Sequence, residues 1–251
     1  MTQRARALTA VATATTVLGV LVPAGTASAA PDTEPPTGSF TLLSATSSDD
    51  PGPMVVEVVQ SSLEDDVTDT RDIAREVDWG TGGGFEPWRR RESIEFSYTT
   101  VGRYHLRVRL TDRAGNAAAQ DLGTVVVTDS FAPRIKVIKP ASDQRRVWRD
   151  IRGYARDVGL AGLDFVRVKA VQKRQRGWFA YLGPERGWKL SVDRGSARAS
   201  ARPVRVAARA NGAWVASLKG VRQGRLVVRS VARDREGNRS DVLVVRRSVV
   251  R

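Results

Sequence analysis

The chain has 251 residues, with 41 lysines and arginines, 27 aspartates and glutamates and one histidine, and its formal net charge is +14. That length suggests one or two domains, each large enough to bury an ordinary core. Cysteine is absent and His105 is the only histidine, which excludes disulfides, cysteine nucleophiles and zinc clusters. An enzyme built on this chain would have to use carboxylates or a metal held by oxygen atoms alone.

The charge is divided very unevenly along the chain. Residues 1–30 carry two arginines and no acid, residues 31–130 carry 9 basic and 18 acidic residues, and residues 131–251 carry 30 basic and 9 acidic residues. An acidic first half is thus joined to a strongly basic second half. The net charge of +21 on residues 131–251 predicts attraction to anionic partners.

The first 29 residues are typical of a secretory signal peptide. Arg4 and Arg6 precede an apolar run over residues 7–22, and Ala27-Ser28-Ala29 is a small-residue cleavage site. The apolar run, of about 16 residues, is shorter than the roughly 20 needed to cross a bilayer. We therefore expect cleavage after Ala29, no transmembrane segment in the mature chain, and a protein that is secreted, extracellular or loosely associated with the cell envelope.

Beyond the leader, the sequence predicts β-strands almost throughout. Residues 30–38 are rich in Pro, Thr, Asp and Glu and are predicted to be a disordered spacer. The later apolar runs are short, valine-rich and alternating, and Gly, Pro, Asn or Asp closes each one, which is the pattern of antiparallel strands. The predicted strands cover residues 39–43, 54–59, 77–79, 94–98, 104–110, 122–127, 135–138, 147–155, 163–171, 178–182, 188–192, 204–208, 214–218, 226–232 and 242–249.

No helix is predicted after the leader. Residues 197–201 come nearest to a helical pattern, but Ser200 interrupts the run and Pro203 ends it. The longer segment over residues 191–202 is expected to be either a loop or an additional edge strand.

A shared turn signature closes one strand in each half of the chain. The pattern D-R-x-G-N occupies residues 112–116 and again residues 234–238, and the 122-residue separation indicates a repeat of whole domains. Glycine permits the positive φ of a tight turn, while the side chains of Asp and Asn form hydrogen bonds with nearby backbone groups. Together with the alternation, this repeat predicts two antiparallel β-sandwiches.

Two longer segments resemble known extracellular domain families. V-D-W-G-T-G-G-G over residues 77–84 and Y-T-T-V-G-R-Y over residues 98–104 resemble a PKD-type immunoglobulin-like domain, with Thr81 where that pattern has its second Asp. I-R-G-Y-A-R-D over residues 151–157 and the R-D-R-E-G-N ending resemble the bacterial immunoglobulin-like repeats of secreted and surface proteins. The spacing of Gly102 and Tyr104 also fits a tyrosine corner.

The resemblance implies an all-β chain of two tandem immunoglobulin-like β-sandwich domains. The first, acidic and PKD-like, would span residues 39–129, and the second, basic and bacterial Ig-like, residues 133–251. Domains of these families serve in adhesion, as spacers or in polymer binding and are rarely catalytic. The short linker between them carries Pro133, and the opposite charges of the halves allow the domains to dock, within one chain or between chains.

Two groups of residues in the first half are candidates for chemistry. By alternation, the His105 side chain points outward on the same strand face as Arg103 and Arg107. A solvated residue is therefore favoured over a catalytic base at this position. An acidic loop offers carboxylates for Ca²⁺, the one cofactor considered, although such loops are also common without an ion. Its candidate ligands are Asp65, Asp66, Asp69 and Asp72. A hydrolase using this loop is a remote alternative, because a sandwich loop supplies no deep cleft.

A basic run with interleaved aromatics is the candidate binding site of the second half. Basic side chains beside aromatic rings suit an anionic polymer or a polysaccharide. The candidate residues are Lys173, Arg174, Arg176, Trp178, Phe179, Tyr181, Arg186 and Trp188. Alternation supports a rival explanation, since Trp178 points away from Phe179 and Tyr181 and one of these sets must pack in the core.

The sequence therefore favours a secreted, non-enzymatic module with an adhesion, spacer or binding role. Its partners would be anionic cell-wall polymers, polysaccharides or another extracellular protein. An accessory polymer-binding protein, acting through the basic second domain, is the main alternative. The leader disfavours nucleic acid as the partner, because it directs the positive charge out of the cell.

Overall fold

The computed structural model describes residues 31–44, 51–89 and 92–251. The predicted signal peptide, residues 1–29, lies outside these residues. Thr33–Arg251 form one compact unit, and every strand described below belongs to it. Within the described residues, no helix has the length and apolar character needed to cross a membrane.

The described part of the first half folds into seven antiparallel strands. They are β1 (Thr37–Ser44), β2 (Met54–Glu64), β3 (Ala74–Asp78), β4 (Glu86–Pro87), β5 (Ser93–Tyr98), β6 (Gly102–Thr111) and β7 (Ala117–Val127). Their two sheets have the strand orders β1-β2-β5 and β4-β3-β6-β7. Leu106, Val108 and Leu110 of β6 are buried in the core between the sheets, because alternate side chains of a strand point to the same face.

Two tyrosines fix the entry to β6. The Tyr104 hydroxyl donates to the carbonyl oxygen of Thr100 at 2.8 Å, which is the contact expected of a tyrosine corner. The Tyr98 hydroxyl donates to the carbonyl oxygen of Trp79 at 2.7 Å in the core. The two rings stack with their centroids 4.2 Å apart, so the turn before β6 is held by both hydrogen bonds and ring packing.

The second half contains nine strands and one short α-helix. They are β8 (Arg134–Ile138), β9 (Asp150–Arg156), β10 (Leu163–Arg174), β11 (Gly177–Tyr181), β12 (Trp188–Ser191), α1 (Arg194–Ser200), β13 (Val204–Val206), β14 (Ala213–Ser217), β15 (Gly224–Asp234) and β16 (Leu243–Val249). One sheet has the order β14-β9-β8, and the other has the order β12-β11-β10-β15-β16, with β13 also paired to β10. The prediction of an all-β chain with two immunoglobulin-like sandwiches is confirmed.

The main core of the second sandwich lies between its two sheets. Trp148, Ile151 and Trp214 from one side pack with Tyr181 and Leu226 from the other. A smaller cluster lies on the outer face of the six-stranded sheet. That sheet is therefore buried on both faces near β10 and β15.

The prediction that no helix follows the leader was wrong at α1. Asp193 caps the helix, since its side chain accepts a hydrogen bond from the backbone N–H of Ser196 at 2.8 Å. Ala197 and Ala201, one helical turn apart, are both buried in the outer cluster. An N-cap and two buried alanines outweigh the weak helical propensity of the serines, because tertiary packing stabilises short helices more than propensity does.

Asp78 at the end of β3 carries a nearly buried charge. Its Oδ2 accepts a hydrogen bond from Arg107 Nη2 at 2.7 Å, and its Oδ1 accepts one from the backbone N–H of Gly80 at 2.9 Å. The Arg107 hydrogen bond, followed by the Gly80 bond, lowers the pKa of Asp78 below its ordinary value, although burial opposes them.

Replacing this carboxylate by Asp78→Asn should lower the free energy of unfolding at pH 7 by about 1 kcal/mol. Asn keeps an acceptor for Gly80 but loses the charge-assisted bond to Arg107. Because the folded state lowers the pKa of Asp78, its stabilisation is present above about pH 4 and is lost as the pH falls through the folded pKa. Urea unfolding at pH 7 and at about pH 2.5 measures the effect.

The matched control is Glu76→Gln on the same strand, because the Glu76 side chain is paired with Arg109 but is more exposed than that of Asp78. It should change stability by less than about 0.5 kcal/mol. The prediction would be contradicted if the free energies of unfolding of the wild type and Asp78→Asn differed by the same amount at both pH values.

Candidate functional site

The outer face of the six-stranded sheet carries a row of basic side chains. Lys169 of β10 and Arg229 of β15 are register partners in the antiparallel pair β10·β15. Like charges placed directly opposite each other on neighbouring strands destabilise a sheet. On the inner face of the same strands, the flanking residues Val168, Ala170 and Val228 are buried in the core, so both cations point outward.

Helix α1 brings two more cations to this row. Ala197 and Ala201 pack with Val171 and Val227 in the outer cluster. Arg194 and Arg198 lie four residues apart on the helix, which places them on one helical face. Small alanine side chains let the helix lie close to the sheet, and the arginines are therefore held beside Lys169 and Arg229.

The four cations surround a cleft of about 190 Å³, which we call the cation cleft. Its basic lining residues are Lys169, Arg194, Arg198 and Arg229, and its floor includes Val171, Ala201 and Val227. Among the described residues, none of the four makes an ion pair with a carboxylate within 4.0 Å. The cleft is thus a concentration of positive charge that the described chain does not neutralise.

Arg229 lies among several like charges. Burial lowers the pKa of Arg229, and the neighbouring Arg198, Arg246 and Arg194 lower it further. Each of these neighbours is a like charge, which disfavours the protonated form of Arg229. An anion in the cleft would relieve this repulsion.

Trp178 forms the edge of the same region. It is partly buried in the outer cluster beneath α1, and the guanidinium carbon of Arg194 lies 5.6 Å from its ring centroid. Lys173 is the register partner of Trp178 on β10. Of the eight residues predicted to bind a ligand, Lys173 and Trp178 lie on the sheet face that carries the cleft.

Four other predicted residues lie on the opposite face or in the core. Tyr181 is fully buried in the main core. Arg174 lies 4.5 Å from the ring centroid of Phe179 and 4.9 Å from that of Trp188. The Trp188 indole N–H donates to the carbonyl oxygen of Lys219 at 2.8 Å. Tyr181 and Trp188 therefore pack with the main core, whereas Phe179 is half-buried beside Arg174, and ligand binding by these residues stays a prediction.

Arg174 itself is tied into the fold. Its Nε donates to Gln172 Oε1 at 2.9 Å and its Nη2 to the carbonyl oxygen of Gly220 at 3.0 Å. Burial, followed by the nearby charge of Arg222, lowers the pKa of Arg174 to about 10. The remaining two predicted residues, Arg176 and Arg186, are exposed in the turns that flank β11.

The candidate calcium ligands of the first half make several local contacts. Asp65 Oδ2 accepts hydrogen bonds from the backbone N–H groups of Val67 and Thr68 at 3.2 and 2.6 Å, while Asp66 is exposed. Asp69 lies 3.2 Å from Arg71 Nη2. Asp72 lies 3.6 Å from Arg71 Nε and 3.0 Å from Arg113 Nη2. Asp69 and Asp72 thus have arginine partners, and calcium binding by this loop stays a prediction.

His105 is exposed on β6, as its alternation indicated. Its Nε2 lies 3.0 Å from Asp121 Oδ2, and both side chains are more than half exposed. Its Nδ1 lies 3.5 Å from the Thr124 hydroxyl oxygen. These are surface contacts between β6 and β7, with no cavity around them among the described pockets.

Sequence reasoning did not select Arg194, Arg198, Arg229 or Arg246. Arg229 could have been found from alternation, because it shares parity with Val227 and Val231 on a strand whose even positions are core. Arg194 and Arg198 required the helix, whose signal was the Asp193 cap three residues before Ser196. The aromatic pattern instead favoured the β11 hairpin, where ligand binding stays a prediction.

Comparisons with known proteins leave the chain without an assigned family. No protein-family model matches it, and no curated protein matches it. Among solved structures, it is similar to the fibronectin(III)-like modules of Clostridium thermocellum CbhA, with 13% identity and a TM-score of 0.26 over 84% of this chain and 94% of that chain. It is also similar to the chicken CNTN1 FN1-FN3 domains, with 12% identity and a TM-score of 0.30 over 87% of this chain and 68% of that chain.

The charge repulsion in the cation cleft predicts that Arg229→Met stabilises the protein. At low ionic strength we expect the free energy of unfolding to rise by about 0.5 kcal/mol, because Met keeps the apolar stem but removes one of several like charges. The gain should vanish at about 0.5 M NaCl, where screening weakens the repulsion. Thermal and urea unfolding at both salt concentrations measure it.

Arg247→Met on β16 is the control, since Arg247 is paired with Asp143. The free energy of unfolding of that variant should not exceed that of the wild type at either salt concentration. Destabilisation by Arg229→Met at low salt, or a gain of equal size at high salt, would show that repulsion does not govern this position.

Proposed function

We propose that the chain is a secreted, non-catalytic module that binds an anionic polymer at the cation cleft of its second sandwich. The observation that carries the proposal is the convergence of Lys169, Arg194, Arg198 and Arg229 on one cleft without a carboxylate partner among the described residues. Natural surfaces usually intersperse charges of both signs. A cluster that destabilises the free protein is explained by a ligand that compensates for it.

The shape of the site favours a polymer over a small molecule. At about 190 Å³ the cleft is smaller than the roughly 300–1,000 Å³ of typical small-molecule sites. The positive charge also continues beyond the cleft along the same sheet face. Arg246 on β16 is the register partner of Val227, and Arg225 on β15 is the register partner of Lys173. A repeating anion can contact the cleft and this row together.

The chemistry of the cations indicates phosphate or carboxylate groups on the ligand. Three of the four cleft cations are arginines, whose planar guanidinium groups bind phosphate and carboxylate through paired hydrogen bonds. The predicted leader supports a ligand outside the cell, such as an anionic cell-wall polymer or an acidic polysaccharide. The resemblance of the first sandwich to a PKD-type domain supports a role for that half as a spacer or an additional contact.

The test is binding of the purified chain to two polymers that differ in their anionic group. Polyphosphate serves as the phosphate polymer and polygalacturonate as the carboxylate polymer, each titrated at about 0.15 M and about 0.5 M NaCl. We expect Arg194→Glu/Arg198→Glu to weaken binding by about tenfold or more, since two attractive contacts become repulsive. Isothermal titration calorimetry measures the affinity.

Arg176→Glu/Arg186→Glu is the control, because it makes the same change in net charge at two exposed turn residues outside the cleft. This variant should weaken binding by no more than about threefold. Equal losses in the two double variants would show that net charge, not the cleft, drives binding. Failure of the wild type to bind either polymer at about 0.15 M NaCl would overturn the proposal in favour of a spacer role.

A further inference from the structure

Three aspartates meet where the two sandwiches are joined. Asp129 lies in the segment between β7 and β8, Asp157 follows β9, and Asp234 is the last residue of β15. Each contributes a carboxylate oxygen, and these three oxygens lie within 4.8 Å of one another. We call this group the junction trio.

The spacing of the junction trio matches a calcium ion. Ca²⁺ binds oxygen ligands at about 2.3–2.6 Å, so two oxygens on one ion are at most about 5 Å apart. All three pairs of oxygens meet that limit. Hard carboxylate oxygens are also the ligands that Ca²⁺ prefers over softer donors.

Two members of the trio are buried and Asp157 is half-buried, and no compensating cation pairs with them among the described residues. Asp129 is 7% exposed and Asp234 is fully buried, and no lysine or arginine in the described chain forms an ion pair with any of the three. Burial raises the pKa of Asp157, and the charges of Asp129 and Asp234 raise it further. Buried carboxylates are normally paired or bound to a metal, because an isolated charge in the interior is costly.

The repeated turn signature provides an internal comparison. In the first sandwich, Asp112 Oδ1 accepts the backbone N–H groups of Gly115 and Asn116, and its Oδ2 accepts the Asn116 side-chain amide at 2.7 Å. In the second, Asp234 Oδ1 accepts the corresponding backbone groups of Gly237 and Asn238 at 2.6 and 2.7 Å.

The two turns differ in the second carboxylate oxygen. The Asn238 side-chain amide donates to the backbone carbonyl oxygen of Asp129 at 2.8 Å instead of to Asp234. Asp234 Oδ2 is therefore left buried with no hydrogen-bond partner among the described residues. Asp157 Oδ2 is in the same condition. Two buried acceptors with unused lone pairs, in a trio of this spacing, point to a bound cation.

The surroundings hold the trio in place. Asp129 Oδ1 accepts the backbone N–H of Phe131 at 2.8 Å, and its Oδ2 accepts that of Ala161 at 2.7 Å. A Cβ atom at Gly159 would overlap the Asp129 carboxylate, so the β9–β10 loop passes directly against it. In the same loop, Leu160 packs on the core of the first sandwich.

We propose that Asp129, Asp157 and Asp234 bind Ca²⁺ at the junction of the two sandwiches. The ion ties the linker to the β9–β10 loop and the β15–β16 turn, and through Leu160 it fixes the second sandwich against the first. Extracellular calcium modules commonly have dissociation constants of about 10⁻⁴–10⁻³ M. The site is separate from the cation cleft, and its occupancy does not depend on polymer binding.

The test titrates CaCl₂ into the metal-free full chain by calorimetry and follows the melting temperature with Ca²⁺ and with EDTA. We expect one binding heat and a rise of about 3 °C in Tm at ten times the dissociation constant. Asp157→Asn and Asp234→Asn should each abolish both signals. In EDTA, Asp157→Asn should melt at or above the wild-type temperature, because it removes a repulsive charge, whereas a purely structural role for Asp157 predicts a lower Tm.

Two control variants separate the junction from other aspartates. Asp112→Asn alters the equivalent turn of the first sandwich and should keep the calcium response, and so should Asp66→Asn in the acidic loop. The proposal is overturned if the wild type shows neither heat nor a Tm shift up to about 10 mM Ca²⁺. It is also overturned if Asp157→Asn still responds, or if Asp66→Asn abolishes the response.

Discussion

The packing of α1 on the outer face of the six-stranded sheet determines where the cations of the second sandwich lie. Ala197 and Ala201 contact Val171 and Val227, and this small apolar contact is the reason that the sheet is buried on both faces. This packing places Arg194 and Arg198 of the helix beside Lys169 of β10 and Arg229 of β15. The same contact that stabilises the helix therefore concentrates positive charge around the cleft.

This arrangement explains why the second half tolerates a large net charge. Several of its basic residues alternate outward from strands whose other face is core, as β15 shows with Arg225 and Arg229. Where charges are spread over a solvated face, screening keeps their repulsion small. Where α1 crosses the face, the cations are held close together in a partly buried setting, and there the pKa of Arg229 is lowered. Charge density, rather than total charge, distinguishes the cleft.

The alternation of apolar and polar residues predicted much of the fold, but it did not predict the cation cleft. Alternation placed β6 and β15 because each strand has one apolar face, and the Asp-Gly-Asn turns marked where strands end. It could not show that Tyr181 would be in the core while Trp178 lies under α1, because alternation separates two faces without saying what covers each. It also could not find α1, whose stability comes from packing against residues of β10, β11 and β15. The convergence of the cleft cations depends on that helix, so the alternation did not predict the cleft.

The repeated turn signature also shows that local sequence does not determine every side-chain contact. Asn116 and Asn238 occupy equivalent positions in nearly identical sequences, yet one bonds to its own Asp and the other to the linker. The difference arises because the Asp129 carbonyl oxygen reaches the second turn, a long-range event that local sequence does not encode. Chemistry at the junction therefore depends on the meeting of three segments, each of which is an ordinary turn or linker when considered alone.

The proposed function requires that the anionic polymer contacts the cation cleft itself. Arginine side-chain NMR, recorded on the Nε–H groups of the chain during a polyphosphate titration, tests this claim at single residues. We predict that the signals of Arg194, Arg198 and Arg229 shift together and saturate, while those of Arg176 and Arg186 stay nearly constant. Uniform small shifts across all exposed arginines, or the largest shifts at Arg176 and Arg186, would contradict it.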